Sequence, residues 1–267
     1  MATVESHYGE TSAAARVLAA AAAAGITEIT PQTLAPADQF HTGGIVATRE
    51  LAAFAGIQPG ERVLDVGSGL GGPSRILAAE FGADVTGIDL TPAFVEDATA
   101  LTVRCGLTDR VRFELGSALD MPFADGAFDV VWTQHAVMNI EDRATLYREC
   151  ARVLRPGGRL VFHDILAGDG RALDFPVPWA VDAGISFIYT EAETKAFLAG
   201  AGLELVEWRD ETEAAIAVGL PPAPPPGVIP FGLMVVLGPD LPNRIENLAR
   251  AGRDGRVRVV RALYRKR

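Results

Sequence analysis

Between residues 61 and 163, short apolar runs alternate with stretches of helical spacing, and this alternation restricts the fold more than any other feature of the chain. RVLDV (62–66), ADVTGID (83–89), VRFELG (111–116), FDVVWT (128–133) and GRLVFHD (158–164) are rich in strand formers and bounded by Gly, Pro or Asp. Between them, PSRILAAEF, PAFVEDATALTVRCG and DRATLYRECARVL space their apolar residues as a helix does. Pro73 after Gly72 and the pair Thr91–Pro92 mark helix starts, and RVLRPGG marks a stop. Strands separated regularly by helices predict an α/β fold, a parallel sheet covered by helices on both faces.

Three parts fall outside this core. Residues 1–60 read as an N-terminal helical cover with the stretch DQFHTGG at 38–44, and 61–267 as the main domain. Within the latter, about 165–190 form an insertion carrying Phe175, Trp179, Phe187 and Tyr189, and 219–242 form a Pro-rich apolar segment. Long connections in a compact domain are usually functional, and these aromatics suit a lid over an apolar or cation-accepting pocket. The formal charge of −10 over 267 residues argues against nucleic-acid phosphates as partner. RDGRVRVVRALYRKR (253–267) is basic, but its alternation reads as a strand with one wet face. No apolar stretch reaches the ~20 residues of a membrane span, and the Ala-rich run at 13–25 lacks the basic start of a signal peptide. Cys105 and Cys150 are too few for a disulfide framework or a zinc cluster. These features predict a cytoplasmic protein that acts on a small molecule, with neither nucleic acid nor membrane as partner; a homo-oligomer stays open.

The loop VLDVGSGLGGPSR (63–75) satisfies the dinucleotide pattern with Gly67, Gly69 and Gly72. Asp65 argues for a different ligand. A carboxylate beside a pyrophosphate is unfavourable, whereas beside an ammonium or sulfonium it is favourable. D-x-G-x-G therefore suits S-adenosylmethionine, with the glycines allowing close backbone approach to the nucleoside. Asp89, 20 residues after Gly69, can take ribose hydroxyls for either ligand. The Tyr and Lys four apart that short-chain dehydrogenases need is missing: the tyrosines are 8, 147, 189 and 264, the lysines 195 and 266.

VLDVGSGLGG, GIDLTPAFVEDA, GSALDMPFADGAFDVVWTQHAVMNI and RVLRPGGRLVFHD occur in an order and spacing that resemble the class I S-adenosylmethionine-dependent methyltransferases. The flanks DQFHTGGIVATREL, HAVMNI and DFPVPWA are similar to the sarcosine/dimethylglycine and related bacterial small-molecule methyltransferases. The resemblance implies a Rossmann-like, seven-stranded, mostly parallel sheet whose last strand, RVRVVRALYRK, is inserted antiparallel. It implies S-adenosyl-L-methionine as cofactor, with Asp65, Gly67 and Gly69 at the methionine end, Asp89 on the ribose and Leu90 on the adenine face. Family members often carry an acid where this chain has Ser117 before Ala118; the base would here be held by a hydroxyl or by backbone groups. Gln134 would lie near the methionine part, and Gln39 and His41 would close over the cofactor. Related phosphoethanolamine enzymes carry a histidine at the position of Asn139, so their tyrosine–histidine latch is not reproduced.

The implied reaction is in-line transfer of a sulfonium methyl to a nitrogen, oxygen or carbon nucleophile, for which the protein supplies alignment and, where needed, a base. His135 and His163 follow strands whose carboxyl ends bind ligands in such sheets, and His7 and His41 belong to the cover. His135 is the first candidate for the base, then His163, then Tyr8. No H-x₃-H or paired-acid spacing supports a metal site. The alternative is a methyltransferase-like protein that binds the cofactor but catalyses a non-methylating reaction such as a cyclisation.

Overall fold

The computed structural model describes residues 12–217 and 231–267; His7, Tyr8 and residues 218–230 of the Pro-rich segment lie outside them. Among the described residues, three helices precede the sheet: α1 (Ala13–Ala23), α2 (Pro31–Asp38) and α3 (Gly44–Ala55). Ser12 caps α1 by accepting the Ala15 N–H. The same end is tied to Asp97, which accepts from the Ser12 hydroxyl at 2.7 Å and the Ala13 N–H at 2.6 Å. Thr30 and Thr33 form a reciprocal capping box ahead of Pro31.

The strands are β1 (Arg62–Val66), β2 (Asp84–Asp89), β3 (Val111–Leu115), β4 (Phe128–Gln134), β5 (Leu154–Ala167), β6 (Leu203–Asp210) and β7 (Val257–Lys266). Their order is β3-β2-β1-β4-β5-β7-β6, with β7 antiparallel to both neighbours and the other pairings parallel. The expected seven-stranded sheet with an inserted last strand is thus present. Helices α4 (Gly72–Phe81), α5 (Pro92–Arg104) and α6 (Arg143–Val153) provide the crossovers. Leu64, Val66, Val131 and Phe162 enter one core and Val63, Val85, Val130 and Val161 the other, so the central strands are buried on both faces. Leu51, Ala52 and Ala55 of α3 pack into the second core, which makes this helix part of the sheet's covering layer.

Two expectations are corrected. β5 starts at Leu154 and not at Gly158, because Leu154 pairs with Phe128 ahead of a register shift and Lys266 Nζ donates to its carbonyl at 2.6 Å. β7 does not have one wet face. It lies between β5 and β6, and Val259 to Tyr264 are all buried. Two of its arginines pair with carboxylates, Arg258 with Asp210 and Arg261 with Glu50 and Glu211, and Arg256, just before the strand, pairs with Asp174 and Asp254. Helix α7 (Glu191–Gly200) lies between β5 and β6, and α8 (Thr212–Ala217), α9 (Met234–Leu237) and α10 (Leu241–Arg253) follow β6. None of the described helices is long and apolar enough to cross a membrane.

Candidate active site

The carboxyl ends of β1, β2 and β4 open onto a cavity of about 500 Å³. Its floor is the loop after β1, where Gly67 and Gly69 have φ of 73° and 52°, the left-handed region that a side chain disfavours. A Cβ on Gly67 would also lie 2.4 Å from that of Ala136, so the loop and the turn after β4 touch only because no side chain separates them. Gly69 and Ser68, then Asp89 and Leu90 after β2, Ser117 and Ala118 after β3, and Gln134 and His135 after β4 all line this one cavity. Phe40 and His41 close it from the cover, and Trp179 and Phe187 from the insertion.

Asp89 accepts the Gly69 N–H on Oδ2 at 2.8 Å and the Thr91 N–H on Oδ1 at 2.9 Å. Burial pushes its carboxyl above the ordinary range, against the pull of those two N–H groups. Each oxygen keeps a lone pair for a ligand hydroxyl. Asp65 does not line the cavity: it is buried one layer below, accepting the Ser74 hydroxyl at 2.5 Å. Burial lifts its carboxyl to about 7, with the charge of Asp89 adding to the rise and Ser74 opposing it. A cation at the glycine loop would relieve that cost.

Gln39, His41 and Gln134 meet around a residue that local spacing does not signal, the fully buried Thr48 of α3. Its hydroxyl lies 2.8 Å from Gln39 Oε1, 3.1 Å from His41 Nε2 and 3.2 Å from Gln134 Oε1. Gln39 Oε1 is also 2.9 Å from His41 Nε2, and Gln134 Nε2 is 3.2 Å from His41 Nδ1. The cover is held over the loop by a second unsignalled pair, Arg75 and Asp38, both fully buried and 2.7 Å apart. Arg75 also donates to the Leu70 and Ala98 carbonyls and the Thr102 hydroxyl, joining α2, α4 and α5. Gly72 lets the cover approach: a Cβ there would sit 2.4 Å from the Asp38 carbonyl oxygen and 2.7 Å from Gln39 Nε2.

His135 has φ 51°, the one left-handed non-glycine among the described residues. Such a backbone costs roughly 1–3 kcal/mol and persists where its surroundings enforce it. Here the His135 N–H donates to the His163 carbonyl at 2.9 Å, and Asp164 grips the flanking residues. Asp164 accepts the Thr133 hydroxyl at 2.7 Å and the Ala136 N–H at 3.1 Å. The imidazole reaches the cavity, with Nε2 3.3 Å from the Thr42 hydroxyl. Its ring centre is 4.9 Å from that of His163 and 6.1 Å from that of His41. Burial, then the neighbouring His163 and His41, hold His135 well below the usual histidine range. Burial takes His41 to about 4, and burial followed by His41 and Arg261 takes His163 to about 3. All three rings are therefore neutral near pH 7.

His163 lines neither this cavity nor its neighbour; it is buried behind His135, 3.9 Å from Glu211. Of the insertion's aromatics, Trp179 and Phe187 face the cavity. Phe175 packs into a separate core, and Tyr189 packs on Phe197 with its hydroxyl donating to the Glu141 carbonyl. Asn139 anchors the insertion by donating to the Trp179 and Ile185 carbonyls at 2.9 and 2.7 Å. Among the described residues no acid, histidine and cysteine cluster has the geometry of a metal site. Tyr8 lies outside the described residues.

A methyltransferase-domain family profile matches residues 64–162. The chain is 35% identical over 199 residues to methyltransferase GfsG of Streptomyces halstedii, a match spanning 72% of this chain and 68% of that protein. It is 36% identical over 160 residues to the 27-O-demethylrifamycin SV methyltransferase of Amycolatopsis mediterranei, spanning 59% of each. The crystal structure of a putative sarcosine dimethylglycine methyltransferase from Galdieria sulphuraria shares the fold, with TM-score 0.64 at 21% identity over 82% of this chain and 84% of that one. The lining agrees with these matches: a glycine floor without side chains and an acid with spare lone pairs fit a nucleoside, and an uncompensated carboxyl below fits a cationic tail. The chain belongs to the S-adenosylmethionine-dependent methyltransferases, and S-adenosyl-L-methionine is its cofactor.

Proposed function

We propose that the protein methylates a small-molecule acceptor, at nitrogen, oxygen or carbon, beside His135, in the cytoplasm and without a nucleic-acid or membrane partner. The observation that carries this reading is that Asp89 and His135, from different strand ends, line one cavity over a side-chain-free loop. When bound, S-adenosylmethionine supplies a sulfonium methyl open to in-line displacement. Asp89 holds the ribose hydroxyls with the lone pairs that Gly69 and Thr91 leave free. Leu90, Ser117 and Ala118 border the adenine, and the backbone of Gly67 and Gly69 runs along the methionine part. Asp65 supports the ammonium through the field of its buried carboxylate and not by contact. Gln39, His41 and Gln134, locked by Thr48, close this end against water, which strengthens every charge interaction inside.

His135 takes the acceptor's proton where the nucleophile arrives protonated. Its neutral ring is in the correct state for that task at pH 7. His163, held behind it, orients the His135 backbone through its carbonyl and does not meet the acceptor. The ion pairs of Arg256, Arg258 and Arg261 support the exclusion of nucleic acid, and the rifamycin-methylating relative supports an acceptor from specialised metabolism.

Calorimetric titration with S-adenosylhomocysteine tests the assignment. Asp89→Ala is expected to weaken binding at least tenfold. His135→Asn keeps a residue tolerant of left-handed backbone, so binding stays within about threefold while turnover of a protonated acceptor falls about 10²-fold or more. Full turnover in His135→Asn, or unchanged binding in Asp89→Ala, contradicts the proposal.

A further inference from the structure

A second cavity, of about 280 Å³, adjoins the first. It lies between the cover, α8, α10 and the start of β7, and shares Phe40, His41, His135, Pro178 and Leu237 with its neighbour. Building on the reading that the first cavity takes the cofactor, we propose that this second cavity holds the methyl acceptor. We further propose that the acceptor is an uncharged, largely apolar molecule methylated at a hydroxyl oxygen.

The walls argue for that class. Ile216, Leu233, Ile245, Leu248 and Val259 make most of the surface remote from His135. Glu246 and Arg253 are the charged residues among the described lining, and they pair with each other at 2.7 Å. Among the described lining no net charge is left to receive a carboxylate, a phosphate or an ammonium, and burying any of these unpaired is strongly unfavourable. Thr212 is already engaged, its hydroxyl donating to Asp210 and accepting the Val259 N–H at 3.0 Å. His41 has both ring nitrogens engaged, so apart from the Glu246–Arg253 pair the polar side-chain groups left among the described lining are the Thr42 hydroxyl and His135 Nε2, 3.3 Å apart on the wall it shares with the first. One polar point at the partition and an aliphatic chamber behind it match a molecule with a single reactive hydroxyl on an apolar frame.

Charge flow points the same way. As the acceptor's O–CH₃ bond forms and its O–H bond breaks, the proton passes to His135 Nε2 and the electron pair of the broken S–CH₃ bond stays on sulfur. The positive charge ends on an imidazole at the partition. Methylating a tertiary amine would instead fix the charge on the acceptor, in a chamber where Phe40 is the one carbocyclic aromatic ring among the described lining.

The test uses the whole chain saturated with S-adenosylhomocysteine for binding and with S-adenosylmethionine for turnover. The probes are naphthol, tert-butylhydroquinone and decanol, against sarcosine and phosphoethanolamine. Expected are calorimetric binding of at least one of the apolar hydroxyl compounds, O-methylation of that compound, and neither for the charged amines. Ile245→Trp, which fills the chamber away from the cofactor, should weaken that binding at least tenfold and leave S-adenosylhomocysteine affinity within twofold. Ile245→Ala, which enlarges it, should shift preference toward the bulkier probe. Methylation of sarcosine or phosphoethanolamine, binding of no apolar probe, or indifference of both Ile245 variants overturns the inference while cofactor binding persists. Failure of the wild type to bind S-adenosylhomocysteine would instead refute the underlying reading, and this inference with it.

Discussion

Replacing His163 by Gln and, separately, Asp65 by Asn is expected to tilt the pH dependence of stability in opposite directions. His163 titrates at 6.5 when freed from the fold and at about 3 within it, so below 6.5 the unfolded chain binds a proton that the native chain refuses. Its contribution is intact above 6.5 and is lost as pH falls toward 3. Asp65 behaves inversely. Its carboxyl moves from 3.8 to about 7 on folding, so the native chain holds a proton that the unfolded chain has released, and stability is lost as pH rises from about 4 to 7. At about 1.4 kcal/mol per pH unit, lowering pH from 7.5 to 4 costs about 3 kcal/mol through His163 and returns about 4 kcal/mol through Asp65. His41, shifted to about 4, and Asp164, raised to about 6, repeat the opposition. The wild-type profile is therefore flatter than either variant's. Urea unfolding at closely spaced pH values, with linear extrapolation to water, resolves differences of this size. Relative to wild type, His163→Gln should gain stability toward pH 4 and Asp65→Asn should lose it. Two flat difference profiles, or two of the same sign, would refute the argument that both groups are buried uncompensated.

Three further outcomes are expected. Gly72→Ala, although alanine favours helix, should cost about 1–3 kcal/mol by overpacking against Asp38 and should weaken S-adenosylhomocysteine binding by moving Gln39, both read by unfolding and calorimetry. Arg75→Met leaves Asp38 buried and unpaired and should cost about 3–5 kcal/mol in urea unfolding; adding Asp38→Asn should recover at least half of it. Asp164→Asn puts a donor against the Ala136 N–H or the Thr133 hydroxyl, so kcat should fall at least tenfold with cofactor affinity nearly unchanged.

The sheet was legible because its signals are local. Val-rich runs bounded by Gly and Pro placed β1 to residue accuracy, and β2, β3 and β4 to within one residue. The start of β5 is not legible locally, because pairing with β4 and a lysine from β7 override the breaker signal of Pro156–Gly157. The glycine loop, Asp89 and His135 could be found for the same reason as the strands, since each sits at a strand's carboxyl end. What escaped are interactions between residues far apart in the chain. Asp38 and Arg75 are 37 residues apart, and Thr48 and Gln134 are 86 apart. Neither spacing leaves a periodic trace. Asp164 carries no local signal either, although its carboxylate, together with the His163 carbonyl, fixes the turn that carries His135. The motif marks Asp65, yet its place beneath the loop, outside the cavity lining, depends on Ser74, which the motif alone does not reveal.

The most direct measurement supplies the protein with S-adenosylmethionine bearing a trideuterated methyl, together with a small-molecule extract, and follows the products by mass spectrometry. The account predicts an acceptor that gains one trideuteromethyl group with matching formation of S-adenosylhomocysteine, and at least a hundredfold less of it with His135→Asn for an acceptor that reacts through a protonated nucleophile. Tight cofactor binding with no label in any acceptor would contradict methyl transfer and leave the non-methylating alternative, a cyclisation for example, in its place.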